Sequence, residues 1–294
     1  MEASIDRRRE RMRRRAPSTS WLGIGVRHVV LIALLIVMLY PLIWMLAASF
    51  EPSAQIFVNA GLLPKSWTFA NYRKGWFPLQ ELSFGRLFFN SLVISCLSVV
   101  GNVVSCLLAA YAFARLRFAL RAVLFAVMLV TIMLPYQVLI IPQYILFLHL
   151  NWLNTYLPLI VPRFLAVDAF FVFLMVQFIR GIPRELDEAA IIDGCGHWRL
   201  FLRIIVPLSV PAMATTAIFT FINSWNDFLG PLLYLTKPSM YTVPLGLNLF
   251  LDSSETSQWG PLFAMSILSM VPIFLLFMAF QRLLTQGIAT TGIK

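Results

Sequence analysis

The sequence predicts an all-α integral membrane protein with six transmembrane helices. Three observations carry this. Only 12% of the 294 residues are charged and 60% are hydrophobic, whereas a soluble chain carries about 25% charged residues. Six apolar stretches long enough to cross a bilayer recur along the chain, separated by polar segments. The topology traced below puts 17 of the 23 Lys and Arg on one side, which the positive-inside rule makes cytosolic. The net charge of +10 is therefore read as topology, and no nucleic-acid partner is expected.

Residues 1–27 form an Arg-rich tail holding Arg7, Arg8, Arg9, Arg11, Arg13, Arg14 and Arg15. The plain reading is a solvated cytosolic tail; an arm that binds lipid or nucleic acid is the alternative. The membrane domain then occupies residues 28–282. Its first span runs from His28 to about Ser49, roughly 33 Å of helix at 1.5 Å per residue. That is too long for an ordinary signal-peptide core, so an uncleaved span is expected. Residues 50–85 mix Trp67, Tyr72 and Trp76 with prolines and charges of both signs, which suits an extracytoplasmic, partly interfacial segment.

The second span runs from about Arg86 to Ala114. Arg115, Arg117 and Arg121 follow without an acid and place the next loop inside. The third runs from about Ala122 to Leu148. Pro135 and Pro142 interrupt it, freeing carbonyls that protein or a wet cavity must satisfy. The fourth runs from about Tyr156 to Phe178 after a short outer turn. A polar loop follows at about 180–207. The fifth span runs from about Pro207 to Leu235, the sixth from about Trp259 to Phe280. Residues 283–294 return to the cytosol. Cys96, Cys106 and Cys195 form neither a CxxC nor a Cys/His cluster, so they are read as small buried apolar fillers, with no disulfide or metal site.

The polar loop is the most informative stretch. Pro183 suits a first helical position, with Glu185, Asp187 and Glu188 near the positive end of the helix dipole. Leu186, Ala189 and Ala190 share one face, thinned by its alanines. Gly194 suits a left-handed residue after the helix end. A second helix fits His197 to Val206, with Trp198, Phe201, Leu202 and Ile205 as an apolar stripe and Pro207 breaking the ladder. The result is a helix–turn–helix elbow along the membrane. An ordinary interfacial helix is the plain alternative.

Glu188-Ala189-Ala190, Gly194, Ile204 and Pro207 resemble the coupling loop of permease subunits of ABC importers, with its Glu-Ala-Ala-x3-Gly-x9-Ile-x-Leu-Pro pattern. Val206 stands where Leu is usual. Asp193 and Phe201 are similar to the carbohydrate-uptake branch. So, in chain order, are Tyr40–Met45, Asn71-Tyr72, Asn90-Ser91-Leu92, Tyr111–Arg115, Trp225–Phe228 and the tail from Gln286 to Lys294. The tail and span number resemble the six-span permease partner of the maltose type. The resemblance implies a type I ABC importer permease fold in a bacterial or archaeal cell membrane, with both termini cytosolic. It implies a second permease subunit, two copies of an ABC ATPase and an extracytoplasmic solute-binding protein as partners, and a sugar or oligosaccharide as cargo. It assigns ATPase coupling to Glu188, Ala189, Ala190, Asp193, Gly194, Phe201, Ile204 and Pro207. Closure of the ATPase would then rock the spans as rigid bodies about a site near mid-bilayer.

None of Lys65, Lys74, Lys237 and Lys294 follows a glycine, so the chain has no Gly-x4-Gly-Lys-Ser/Thr loop. It is not expected to be an enzyme or to bind a cofactor; ATP and Mg would sit on the partner ATPase. Among intramembrane polar residues, Arg163 and Asp168 in the fourth span and Asn223, Ser224, Trp225, Asn226 and Asp227 in the fifth are candidates for the substrate pathway. A structural ion pair or interfacial snorkelling is the alternative. Arg163 and Asp168 lie about 140° apart on an ideal helix, which makes them poor partners. An anionic cargo such as glycerol phosphate would favour Arg163 as a ligand. A secondary transporter or channel would use the intramembrane acids for ions. A membrane enzyme such as a glycosyltransferase would need clustered acids or His, which the sequence does not offer.

Overall fold

The structure is a computed structural model that describes residues 21–58, 61–79, 82–251 and 258–289. The Arg cluster of the N-terminal tail and the last five residues lie outside these, and side chains are described only for 24–281 within them. No strand occurs among the described residues. Four helical stretches are long and apolar enough to cross a membrane, and two bent pairs raise the count to six.

α1 (Trp21–Ser49) is apolar all round and exposed along most of its length, as a lipid-facing helix must be. It packs mainly on the last helix, α13 (Trp259–Ala289), through pairs such as Trp44 and Phe263. Between α1 and the bundle, short α2 (Ala70–Gly75) is anchored by Asn71. Its buried amide donates to the carbonyls of Ser49 at 2.9 Å and Glu51 at 2.7 Å.

α3 (Phe84–Arg115) is the hub. Its small and polar positions, Ser91, Ser95, Ser98, Gly101 and Asn102, are buried, which lets neighbouring backbones approach closely. It packs against α7 (Ala169–Gly181) and α10 (Val210–Trp225). Gly101 shows how tight the contact is: an added Cβ would lie 2.5 Å from the Phe164 ring.

Three spans are broken. The predicted third span divides into α4 (Arg121–Thr131) and α5 (Tyr136–His149), which meet at 103° around Pro135. Pro135 takes an extended conformation ahead of α5 (ψ 132°), whereas Pro142 is accommodated inside it. The fourth span is α6 (Leu157–Ile160), a 3-10 stretch (Val161–Leu165) and α7, with left-handed Ala166 (φ 52°) at the join. The predicted fifth span, Pro207–Leu235, is shorter: α10 is 16 residues, about 24 Å. Before it the chain turns 72° away from α9 (His197–Leu208), so Pro207 closes the loop helix rather than opening a span. After it the chain breaks at Asn226–Phe228 and resumes as α11 (Leu229–Tyr234), then α12 (Val243–Asn248). Of the cysteines, Cys106 is buried but Cys96 is exposed and Cys195 half-buried, so the filler reading fits Cys106 best.

Candidate functional site

The polar loop folds as an elbow of α8 (Glu185–Ile192) and α9. Pro183 lies before the Arg184 cap rather than inside the first turn. Glu185, Asp187 and Glu188 occupy that turn, where the dipole favours them. Gly194 has φ +76°. Its N–H bonds the Ile191 carbonyl at 3.0 Å, and the Cys195 N–H bonds that of Ala190 at 2.9 Å. That pair of bonds is the Schellman closure, which a left-handed glycine permits. In α9 the stretch Phe201–Ile205 widens into a π turn. Pro207 has no N–H to offer the Arg203 carbonyl.

The elbow has two sides. Inward, Ala190, Leu200, Phe201 and Ile205 join an apolar cluster with Tyr111, Ala114, Val176 and Ile179 of α3 and α7. The thin face of α8 thus divides: Ala190 lets α8 approach the bundle, while Leu186 and Ala189 face out. The predicted stripe on α9 divides as well. Phe201 and Ile205 are buried, whereas Trp198 is 69% exposed and Leu202 59%. Ile192, at 85%, lies on the same open side as the bend. Glu188, Asp193 and Pro207 are exposed, and Ile204 is half-buried.

An ion pair fixes the elbow to the hub. Arg115 Nε, at the end of α3, lies 2.9 Å from Asp187 Oδ2, with side chains 5% and 15% exposed. The same guanidinium donates through Nη2 to the Ile182 carbonyl at 2.8 Å. Tyr111 adds a hydroxyl bond to the His197 carbonyl at 3.3 Å and a ring contact with Phe201 at 5.0 Å. Sequence reasoning used Arg115 only for orientation. Its sole sequence signal is its position in Tyr111–Arg115.

At mid-span the three helix breaks converge on one cavity of about 680 Å³. Ile132, Leu134 and Tyr136 come from the first break, Leu165, Val167 and Asp168 from the second, Ser224 and Asp227 from the third. Arg163 also lines it. Contrary to ideal-helix geometry, Arg163 and Asp168 are partners: Nη1 lies 2.9 Å from Oδ2. The left-handed turn at Ala166 folds the chain back between them. Near the middle of α3, Asn102 is fully buried, donates to Thr220 Oγ1 at 2.8 Å and reaches Asp168 Oδ2 at 3.5 Å. Asp227 caps the start of α11, accepting from the Gly230 N–H at 3.1 Å.

Trp225, expected beside the pathway, does not line this cavity. It is 1% exposed in the core, stacks on Phe221 at 5.6 Å and donates its indole N–H to the Ser269 carbonyl at 3.1 Å. Asn223 and Asn226 lie exposed and outside the cavity lining. Sequence reasoning missed Tyr234, Thr242 and Asn102. Asn90-Ser91 gave a faint signal for Thr242, because Asn90 holds the carbonyls of Ser239 and Tyr241 and Ser91 accepts the Val243 N–H. Among the described residues, no cluster of His, Cys, Asp and Glu could hold a metal ion.

Broken spans around a cavity of mixed apolar and polar lining are the architecture of a membrane transport subunit, in which irregular backbone survives only where it lines a cavity. The capped elbow leaves Ile192, Trp198 and Leu202 exposed among charged residues such as Glu188, Asp193 and Arg199. Residues 101–290 match the family described as the binding-protein-dependent transport system inner membrane component, and the chain belongs to that family. It is 34% identical to a probable ABC transporter permease of Bacillus subtilis, over 95% of this chain and 91% of the relative. It is also 34% identical to an arabinooligosaccharide transport system permease of Halalkalibacterium halodurans, over 96% and 99%, and 32% identical to an sn-glycerol-3-phosphate transport system permease of Brucella abortus, over 90% and 96%. The fold matches a chain from the crystal structure of a bacterial ABC transporter involved in the import of the acidic polysaccharide alginate, with TM-score 0.78 and 21% identity, over 91% of this chain and 98% of that one. The expected six-span ABC importer permease fold is therefore the observed one, and the chain is an inner-membrane transport permease.

Proposed function

We propose that this chain is one half of a permease heterodimer that imports a neutral sugar or oligosaccharide. A second permease completes the pathway, a solute-binding protein delivers cargo, and two copies of an ABC ATPase drive the cycle with ATP and Mg that this chain does not itself hold. Both termini and the elbow lie on the cytosolic side, as the clustering of Lys and Arg favours.

The elbow carries the coupling part of this reading. α8 is held to α3 by Arg115–Asp187 and α9 by Tyr111, and the two leave Ile192, Trp198 and Leu202 exposed. A docked ATPase that covered these side chains would move the elbow, and a buried ion pair would pass that movement to the hub helix without bending. The coupling residues therefore divide in role. Glu188, Ala189 and Asp193 face the partner. Ala190 and Phe201 seat the elbow, and Gly194 shapes its bend. Ile204 and Pro207 end it.

The oligosaccharide relative supports sugar as cargo. The glycerol-phosphate relative, with Arg163 in the cavity, supports an anion as the second reading. The pairing of Arg163 with Asp168 favours the neutral cargo. The test is expression with the co-purifying ATPase and second permease, followed by uptake of radiolabelled neutral oligosaccharides and of sn-glycerol 3-phosphate. Sugar-dependent uptake with ATP turnover is expected. Purification without any ATPase, or uptake without ATP, would overturn the importer reading.

A further inference from the structure

We propose that Arg117, Arg121 and Arg180, at the end of the bundle beside the elbow, form a binding site for the phosphate headgroup of an anionic phospholipid. It rests on the orientation proposed above for naming the leaflet, which is the cytosolic one.

The site is built from three helix ends. α3 ends at Arg115, α4 begins at Arg121 and α7 ends at Gly181. A run of aromatic rings joins them. Phe113 of α3 lies 5.9 Å from Phe118 in the connecting segment and 5.4 Å from Phe125 of α4. The Arg180 guanidinium covers the end of this run, with Cζ 5.1 Å from the centre of the Phe125 ring. Arg121 stands one helical turn before Phe125, and its Nη1 donates to the Leu116 carbonyl at 3.0 Å. Arg117 follows Leu116 directly and is exposed.

The charge here is unbalanced. From Phe113 to Leu134, and from Ala169 to Gly181, the sequence holds no acid. Among the described residues none of the three arginines is in an ion pair, whereas Arg115 and Arg163 are, with Asp187 and Asp168. The elbow differs, because its Arg184, Arg199 and Arg203 share it with Glu185, Glu188 and Asp193. Guanidiniums gathered on one aromatic run repel one another until an anion lies between them. A phosphate suits them, since it accepts paired N–H donors.

The surroundings name the bearer of that phosphate. Leu120, Val123 and Leu124 are exposed beside the arginines, and α4 is apolar with no buried residue, as on a helix that faces lipid. A ligand here places an anionic head on the arginines and its apolar tails along α4. That is the chemistry of phosphatidylglycerol or cardiolipin, whose heads occupy basic pockets between helices at the cytosolic surface. The site also adjoins the coupling machinery. Arg180 lies two residues before Ile182, whose carbonyl Arg115 holds at 2.8 Å, and α8 begins at Glu185. A headgroup bridging Arg121 and Arg180 ties the start of α4 to the root of the elbow, so anionic lipid raises coupled ATP turnover.

The experiment uses the assembled complex, with its ATPase and second permease, in phosphatidylcholine nanodiscs. These carry a trace of phosphatidylglycerol or of phosphatidylcholine bearing a diazirine near the headgroup. Both leaflets are probed, so the result does not depend on orientation. Cross-links are mapped by mass spectrometry. The phosphatidylglycerol probe is expected to label residues 117–125 and 177–181 about tenfold more than the phosphatidylcholine probe, and Arg121→Gln with Arg180→Gln to remove that excess, the order set by two basic side chains at a charged surface. Excess inorganic phosphate is expected not to compete. Cargo-stimulated ATP hydrolysis should match between wild type and variant in phosphatidylcholine alone, and added phosphatidylglycerol should raise it in wild type only. Equal labelling by the two probes in wild type would overturn the site, whether or not the variant folds. Competition by inorganic phosphate would give the arginines to a soluble anion instead. Loss of the ATPase from the variant complex would show that they hold that protein rather than lipid. Preferential labelling in a complex that hydrolyses no ATP in any lipid would leave the lipid site standing and sink the importer reading.

Discussion

The elbow and the cavity both depart from regular helix, and they resolve the departure in opposite ways. At the elbow the backbone end is closed, although Arg115 Nε and Asp187 Oδ1 have no hydrogen-bond partner. The α8 carbonyls are capped at Gly194 and Cys195, and Arg115 is shared between Asp187 and Ile182. What remains open mixes Ile192, Trp198 and Leu202 with charged side chains such as Glu188, Asp193 and Arg199. In the cavity the lining is largely apolar, with the charged side chains of Arg163, Asp168 and Asp227 set into it. On the reading proposed above, the difference separates a braced handle for a partner from a pocket on the cargo path within one chain.

The handle should break first and most completely. Gly194→Pro forces φ from +76° to about −65°, and Glu188→Lys reverses a charge at the positive end of α8. Each should leave the chain inserted yet abolish uptake and cargo-stimulated ATP hydrolysis, read in proteoliposomes beside wild type. Normal uptake would remove the docking role. Next in size is Asp187→Ala. It strands a guanidinium that is 5% exposed and should cost about 3–5 kcal/mol, read as a lower thermal midpoint in detergent. Adding Arg115→Met should restore much of that midpoint, because removing both charges of a buried pair is close to neutral. If the double variant is no more stable than the single, the pair is not the clamp described here.

Smaller effects sharpen the other side. Gly101→Ala places a methyl 2.5 Å from the Phe164 ring and should cost about 1–3 kcal/mol, shifting the 3-10 stretch that carries Arg163. The expected readout is altered cargo preference with the ATPase still bound. Smallest is Asn226→Ala, on an exposed residue outside the cavity lining. It should change stability by less than about 0.5 kcal/mol and leave cargo uptake unchanged. A large loss of uptake would move the pocket boundary.

The elbow was legible in the sequence because its determinants are local. A glycine, a proline and an acidic first turn act within a few residues of themselves. The spans were legible because length and hydropathy suffice, and Pro135 announced a break though not its 103° angle. The ion pair Arg163–Asp168 was not legible. Ideal-helix spacing separates the two, and a left-handed alanine at 166 leaves no trace in composition. Trp225 was misplaced for a related reason. Its neighbours in sequence are amides and an acid, but which side of α10 meets α3 and α13 is a tertiary decision, and the indole fell on the packed side. Arg115 was visible as a charge and as the end of Tyr111–Arg115, but its ion pair was not, since Asp187 lies far along the chain.

The packing of α1 on α13 has a bearing on how the molecule is made. Domains built during synthesis tend to fold from the N-terminus forward, yet the main helical partner of the first span is the last one. While the ribosome works through the intervening spans, Trp44 has Phe57 beside it but not yet Phe263. The bundle closes when its final helix arrives, so a chain truncated before Trp259 is left with an unpaired anchor, which membrane quality control could read as unfinished.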